Sequence, residues 1–277
     1  MLVAAAVLAL SQIAQAAPPS PAEAARLVSR SHLFALPDNA VGYIPASAGP
    51  RPPLLVLLHG AGHRQLEMVK HFEAEADARG LLLLAPDSLG DTWDSVADAE
   101  GPPDTNSPLA GTLAHRFSRS RDSRRVDAAI AKLESIVPVD SDRIVLAGFS
   151  DGATFALTMG MSRDYRFAAV IAWSPGIAIR TDNPARGRRV FISHGYSDPL
   201  LKFAVTCSEI VPLLREEGAA VTFVGFDGGH DAPVWLKDTF FDAIFGSIAG
   251  SKARPLPTGR QTCIGGDANV PAIGSVN

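Results

Sequence analysis

The chain predicts an α/β fold in which a mostly parallel central sheet is flanked by helices on both faces. Three observations predict it. Continuous apolar runs of strand length recur at 53–58, 81–85, 144–147, 168–173, 190–193 and 221–226, as expected for strands buried on both faces of a parallel sheet. Helix-compatible segments separate most of these runs, and repeated strand and helix alternation specifies parallel strands joined by crossovers. A length of 277 residues with 47% hydrophobic content is enough for a large core, and one domain of this class reaches that size.

The elements follow in order. Residues 31–36 and 40–44 pair as a hairpin across Pro37, Asp38 and Asn39, a turn-forming triplet. After the strand at 53–58, Leu66, Val69, Phe72, Ala76 and Ala78 recur at helical spacing, and Gly80 stops that helix before the strand at 81–85. A polar stretch rich in Pro, Gly, Ser and Arg at 94–125 is read as a rim loop or partial lid. A helix at 126–136 precedes the strand at 144–147, and another follows Ser150. The remaining strands alternate with helices at 200–216 and 234–244. The catalytic domain is placed at 31–250.

The ends read differently. Residues 1–16 have an apolar core ending in Ala14, Gln15 and Ala16, the small-x-small pattern of a secretory signal, and export to the periplasm or medium follows from it. No Lys or Arg precedes that core, so a start site assigned too late, or a cytoplasmic chain with an Ala-rich arm, stays open. Residues 17–30 read as a flexible arm and 251–277 as a low-order tail. No run reaches the roughly 20 apolar residues of a membrane span, and a net charge of −4 offers no general attraction to nucleic acid or anionic lipid. Cys207 and Cys263 permit one disulfide; equally, Cys207 shares a helical face with Phe203, Ile210 and Leu214 and serves as a small buried hydrophobe. Neither has neighbours at zinc-ligand spacing, and no metal or other cofactor is expected.

The chemistry concentrates at strand ends. Gly148-Phe149-Ser150-Asp151-Gly152 lies between a strand and a helix, where a tight turn presents its central serine as a nucleophile. A serine hydroxyl is weak at neutral pH and needs a base, an orienting acid and donors for the developing oxyanion. Asp198 follows the strand at 190–193, and His230 follows the strand at 221–226. The order Ser, Asp, His places each group beyond the C-terminal end of a parallel strand, where open sheets hold their ligands. Asp227 and Asp231 flank His230 and compete for the acid role; Asp198 is preferred because neighbours in sequence rarely aim at the ring. The loop His59-Gly60-Ala61-Gly62 supplies Ala61 as one backbone N–H donor and the helix start supplies Asp151 as the other.

These residues resemble the α/β-hydrolase superfamily and, within it, the bacterial phospholipase/carboxylesterase group of serine esterases. The resemblance runs from about residue 54 to 244. It rests on the HGAG loop at His59, Ala85-Pro86-Asp87-Ser88 with Thr92-Trp93-Asp94, the elbow at Ser150, Ala172-Trp173-Ser174-Pro175-Gly176, His194-Gly195 with Asp198, and Phe226-Asp227-Gly228-Gly229-His230. It implies hydrolysis of a small-molecule or polymeric carboxylic ester through a Ser150, His230 and Asp198 triad, without cofactor. Acyl-protein thioesterases of this group usually carry Gln after the nucleophile, where this chain has Asp151. A peptidase, a thioesterase or, more distantly, a binding protein on the same fold are the rival readings.

Other residues carry two readings each. Trp93 and Trp173, with His63 and Leu89, are candidate pocket walls, although large aromatics also simply fill cores. Arg116, Arg119, Arg121, Arg124 and Arg125 offer an anion site or a solvated face. His59 and His194 read as structural supports of the site's floor, and His32, His71 and His115 as surface residues.

Overall fold

A computed structural model describes residues 32–62, 64–99 and 120–248. The proposed signal, the arm and the tail lie outside them. Eight strands form one sheet in the order β1-β2-β4-β3-β5-β6-β7-β8. The hairpin is β1 (His32–Ala35) and β2 (Val41–Ile44), paired antiparallel, and β2 runs antiparallel to β4 (Leu82–Ala85). The rest of the sheet is parallel: β3 (Leu54–Leu58), β5 (Ile144–Phe149), β6 (Ala169–Trp173), β7 (Arg189–Gly195) and β8 (Ala220–Phe226).

The two faces of the sheet bury separate apolar layers. Leu54, Val56 and Leu58 of β3 point to one layer, Leu55 and Leu57 to the other, the period of two that strand geometry imposes. The first layer includes α3 (Arg121–Glu134) through Val126, Ala129 and Leu133, and α4 (Asp151–Met161) through Phe155 and Met159. The helix α5 also lies there. It comprises Phe203–Val205, a π-helical turn Thr206–Ile210 and Val211–Glu216. The wide turn lies just before Pro212, whose ring and missing N–H disturb a regular α-helix at that point. The second layer packs α1 (Gln65–Arg79) through Val69, Phe72 and Ala76, and α6 (Val234–Phe245) through Leu236, Phe240 and Phe241. Gly80 closes α1 at a φ of 66°.

One expectation changes. The stretch 94–125 is not loop throughout, because α2 (Asp94–Ala99) occupies its start and α3 begins at Arg121, five residues earlier than periodicity suggested. Ser120 caps α3, its side chain accepting the Ser123 N–H, a local signal of helix start. Residues 100–119 lie outside the described part.

The parallel strands deliver their C-terminal ends to one edge, and the tightest backbone packing is there. A Cβ placed on Gly152 would overlap the carbonyl oxygens of Leu58 and His59, and one on Gly148 would overlap the Gly152 carbonyl. Gly152→Ala is therefore expected to lower stability by about 1–3 kcal/mol, the usual cost of overpacking. That corresponds to about 2–12 °C in the thermal unfolding midpoint at this chain length, read by calorimetry; an unchanged midpoint would contradict the packing described.

Candidate active site

Ser150 occupies the turn from β5 into α4 with φ 57° and ψ −121°, a left-handed conformation that costs a non-glycine residue about 1–3 kcal/mol. The surroundings hold it there. Its N–H donates to the Trp173 carbonyl at 3.0 Å, and its carbonyl accepts the N–H groups of Ala153 and Thr154 at 2.9 and 3.1 Å. The missing Cβ atoms of Gly148 and Gly152 let α4 start directly against β3 and β5. The strain thus lies at the one residue that the turn projects outward.

Asp198 and His230 meet from adjacent strand ends. The His230 Nδ1–H donates to Asp198 Oδ2 at 2.7 Å. Because a carboxylate only accepts, the proton of the neutral ring sits on Nδ1 and the lone pair on Nε2. The His230 ring lies 4.8 Å from the ring of Phe149, the residue before Ser150, so His230 and the elbow share one edge of the sheet. Asp198 is fixed from its other side as well: Oδ1 accepts the N–H groups of Leu200 and Leu201, both at 2.9 Å. Burial alone would raise the Asp198 carboxyl, but the Leu201 N–H, His230 and the Leu200 N–H together hold it below the usual carboxylate value.

Behind this pair stands His194, fully buried. Its Nε2 lies 2.9 Å from the Leu201 carbonyl and 3.1 Å from Asp198 Oδ2, so Nε2 carries the proton. Thr206 Oγ1 lies 2.8 Å from Nδ1. Burial pushes the His194 pKa down, consistent with a neutral ring that supports the carboxylate. Ser174, at φ 52°, adds a further brace by donating from Oγ to the Asp231 carbonyl, next to His230, at 3.2 Å. Asp231 itself accepts the Ala232 N–H at 2.7 Å. The carboxylate that accepts the His230 Nδ1–H is that of Asp198.

Ala61 and Asp151 flank the elbow. Asp151 is the first residue of α4, so its N–H has no helical acceptor. The turn carrying Ala61 is held by His59, whose Nδ1–H donates to the Gly60 carbonyl at 2.6 Å while Nε2 accepts the Ser88 N–H at 3.2 Å. Gly60 approaches Ser150 so closely that an added Cβ would lie 3.2 Å from the serine Cβ.

The pocket candidates divide. Trp93 and Trp173 are both 0% exposed and belong to the core. Trp93 stacks on Phe155 at 4.7 Å and donates from Nε1 to the His59 carbonyl at 2.9 Å; Trp173 stacks on Phe72 at 5.4 Å. They support the site's floor from below. Leu89 is 42% exposed on the loop after β4, and His63 lies outside the described residues. Of the arginines, Arg125 reaches Asp38 and the Asp87 carbonyl, Arg121 and Arg124 are exposed, and Arg116 and Arg119 lie outside the described part. His71, expected at the surface, is exposed but touches the buried Lys237. Among the described residues no group of three His, Cys, Asp or Glu side chains is arranged to hold a metal ion. Cys207 is buried and disulfide-bonded; the chain's other cysteine, Cys263, lies outside the described residues.

Sequence reasoning from local patterns missed the partners of two side chains. Asp122, buried in the first turn of α3, accepts the N–H groups of Leu89 and Asp94 at 2.9 and 2.8 Å. Thr92 donates from Oγ1 to Asp151 Oδ2 at 2.6 Å. Only a shared edge of the sheet brings these partners together.

Comparison with known proteins finds similar esterases. The family described as Phospholipase/Carboxylesterase matches residues 112–234. A bifunctional acetylxylan esterase/xylanase of Neocallimastix patriciarum is 24% identical over 163 residues, covering 58% of this chain and 21% of that protein. Acyl-protein thioesterase 1 of Neurospora crassa is 28% identical over 120 residues, covering 40% and 48% respectively. The chain therefore spans less than half the length of either relative. The carboxylesterase of Bacillus cereus superposes with a TM-score of 0.52 at 20% identity, covering 80% of this chain and all of that one. The fold is that of the α/β hydrolases, and the chain resembles the phospholipase/carboxylesterase group.

The depressed Asp198 carboxyl sets a pH dependence. A carboxylate held below its unfolded value of about 4 contributes stability above that pH and loses it as the pH falls through the folded value. The difference in thermal midpoint between wild type and Asp198→Asn is expected to shrink on acidification below about pH 4. A difference that stays constant on further acidification would contradict the assigned charge state.

Proposed function

We propose that this chain is a serine hydrolase of carboxylic esters, with Ser150 as nucleophile, His230 as general base and acid, and Asp198 as the residue that orients and stabilises the imidazolium. The observation that carries this reading is the 2.7 Å bond from His230 Nδ1–H to Asp198. It leaves the Nε2 lone pair for the Ser150 hydroxyl at the same edge of the sheet. A serine in a strained elbow without such a base would be only a turn residue.

In the first half-reaction His230 Nε2 takes the Ser150 proton as Oγ bonds to the ester carbonyl carbon. The carbonyl oxygen becomes an anion, which the Ala61 and Asp151 N–H groups stabilise, each such donor being worth about 10²–10³-fold in rate. The imidazolium faces the negative Asp198 throughout, then gives its proton to the departing alkoxide, and the alcohol leaves. Water then repeats the sequence at the acyl-enzyme, regenerating Ser150 and releasing the carboxylic acid. The depressed Asp198 carboxyl supports this role, because it favours the charged form that faces the imidazolium.

The relatives' names support an ester substrate, an acetylxylan esterase being among them, while the thioesterase relative keeps thioesters on the panel. Asp151 in place of the Gln usual in acyl-protein thioesterases favours the oxygen ester. The protein is read as exported on residues 1–16. A disulfide-bonded Cys207 supports that reading, since such bonds persist in oxidising compartments.

A panel of matched oxygen ester, thioester and peptide substrates tests the function. The oxygen ester is expected to turn over fastest, and a fluorophosphonate probe to label wild type but not Ser150→Ala. His230→Ala and Asp198→Asn should each lower kcat by at least about 10³-fold. A folded wild type that neither labels nor turns over any ester would overturn the proposal, and faster thioester turnover would redirect it.

A further inference from the structure

Loop 88–94, between β4 and α2, touches both halves of the proposed oxyanion hole. On the Ala61 side it holds the turn in three places. The Ser88 N–H donates to His59 Nε2 at 3.2 Å, the Trp93 Nε1–H to the His59 carbonyl at 2.9 Å, and the Asp91 carbonyl accepts the Gly62 N–H at 2.8 Å. On the nucleophile side the Thr92 hydroxyl donates to the Asp151 carboxylate at 2.6 Å, a length typical of a charge-assisted bond. The loop itself is fixed from behind by Asp122, whose two oxygens take the N–H groups of Leu89 and Asp94. Asp94 returns the contact, its Oδ2 accepting the Asp122 N–H at 3.1 Å.

We propose that Thr92 is a positioning residue of the ester hydrolase, setting the separation and direction of the Ala61 and Asp151 N–H groups through its bond to the Asp151 side chain. The inference rests on the assignment of those two groups as oxyanion donors. Two backbone segments far apart in sequence must aim at one oxygen atom, and donors work only when held close to the position that atom reaches in the transition state. The 59–62 turn and the start of α4 belong to different crossovers. Asp91 on one side and Thr92 on the other make adjacent residues of a single loop the gauge between them. The same bond also keeps the Asp151 carboxylate turned to the loop. Unrestrained, that charge would stand beside a developing anion and oppose it.

The consequence is specific to the transition state. Loss of the Thr92 hydroxyl leaves Ser150, His230 and Asp198 in place, so ground-state binding changes little while stabilisation of the tetrahedral anion falls. Thr92 is half-buried, so small substitutions there are tolerated by the fold.

The test compares wild type, Thr92→Val and Thr92→Ser for kcat and KM on a neutral activated ester. It adds the affinity for an alkyl boronic acid, which forms an anionic tetrahedral adduct with a reactive serine. Thr92→Val is expected to lower kcat about 10- to 100-fold with KM changed less than about twofold, and boronate affinity should fall in parallel. Thr92→Ser, which keeps the hydroxyl, restores both to within about threefold. In an Asp151→Ala background, Thr92→Val should change kcat by less than about twofold, since the partner is already gone. Thr92→Ala replaces Thr92→Val if the latter does not fold. Unchanged kcat in both hydroxyl-free variants overturns the proposal. So does a loss of kcat without loss of boronate affinity, or an equal loss in the Asp151→Ala background. Failure of the underlying esterase reading would look different, because wild type itself would then neither hydrolyse the ester nor bind the boronate.

Discussion

The site depends on one close approach, that of the start of α4 beneath the end of β3. Gly152 lies against the Leu58 and His59 carbonyls with no room for a Cβ, and Gly148 lies equally close to Gly152. With α4 seated there, the chain has a single residue in which to turn from β5 into the helix. That residue, Ser150, takes a positive φ and stands outward. The same contact brings the 59–62 turn beside the first N–H groups of α4, so candidate nucleophile and candidate oxyanion donors are products of one packing constraint. The cost of the strained serine is distributed over a well-buried sheet whose two apolar layers hold the strands in register.

Around that constraint the imidazoles are assigned by their partners. His230 carries its proton on Nδ1 because Asp198 accepts there; His59 does so because the Gly60 carbonyl accepts; His194 carries its proton on Nε2 because the Leu201 carbonyl accepts. Asp198 is the hub, taking two backbone N–H groups and the His230 proton, with His194 close behind. A carboxylate satisfied in this way keeps its charge despite burial, which is the condition for steadying an imidazolium at its other end.

Most of the architecture could be read from the sequence, because strands buried on both faces leave continuous apolar runs, and because Ser150, Asp198 and His230 each sit just past such a run. The hairpin at Pro37 and the stop at Gly80 were legible from turn chemistry. Less legible was the stretch 94–125, where α2 and the first turn of α3 carry too few apolar residues for periodicity to register. The partners of Thr92 and Asp122 were not legible for a different reason. They lie 59, 33 and 28 residues away, and only the shared sheet edge joins them. Trp93 and Trp173 were ambiguous because an aromatic past a strand end serves a pocket wall or a floor equally well; their neighbours Phe155 and Phe72 decide for the floor.

The central claim is that Ser150 forms a covalent acyl intermediate with an ester substrate. Rapid acid quenching after mixing wild type with a slowly deacylating activated ester, followed by proteolysis and mass spectrometry, examines that bond directly. The account predicts an adduct of the acyl mass on the peptide containing Ser150, formed in a burst stoichiometric with active enzyme. Ester turnover with no adduct on that peptide, or with the acyl group on another residue, would contradict it.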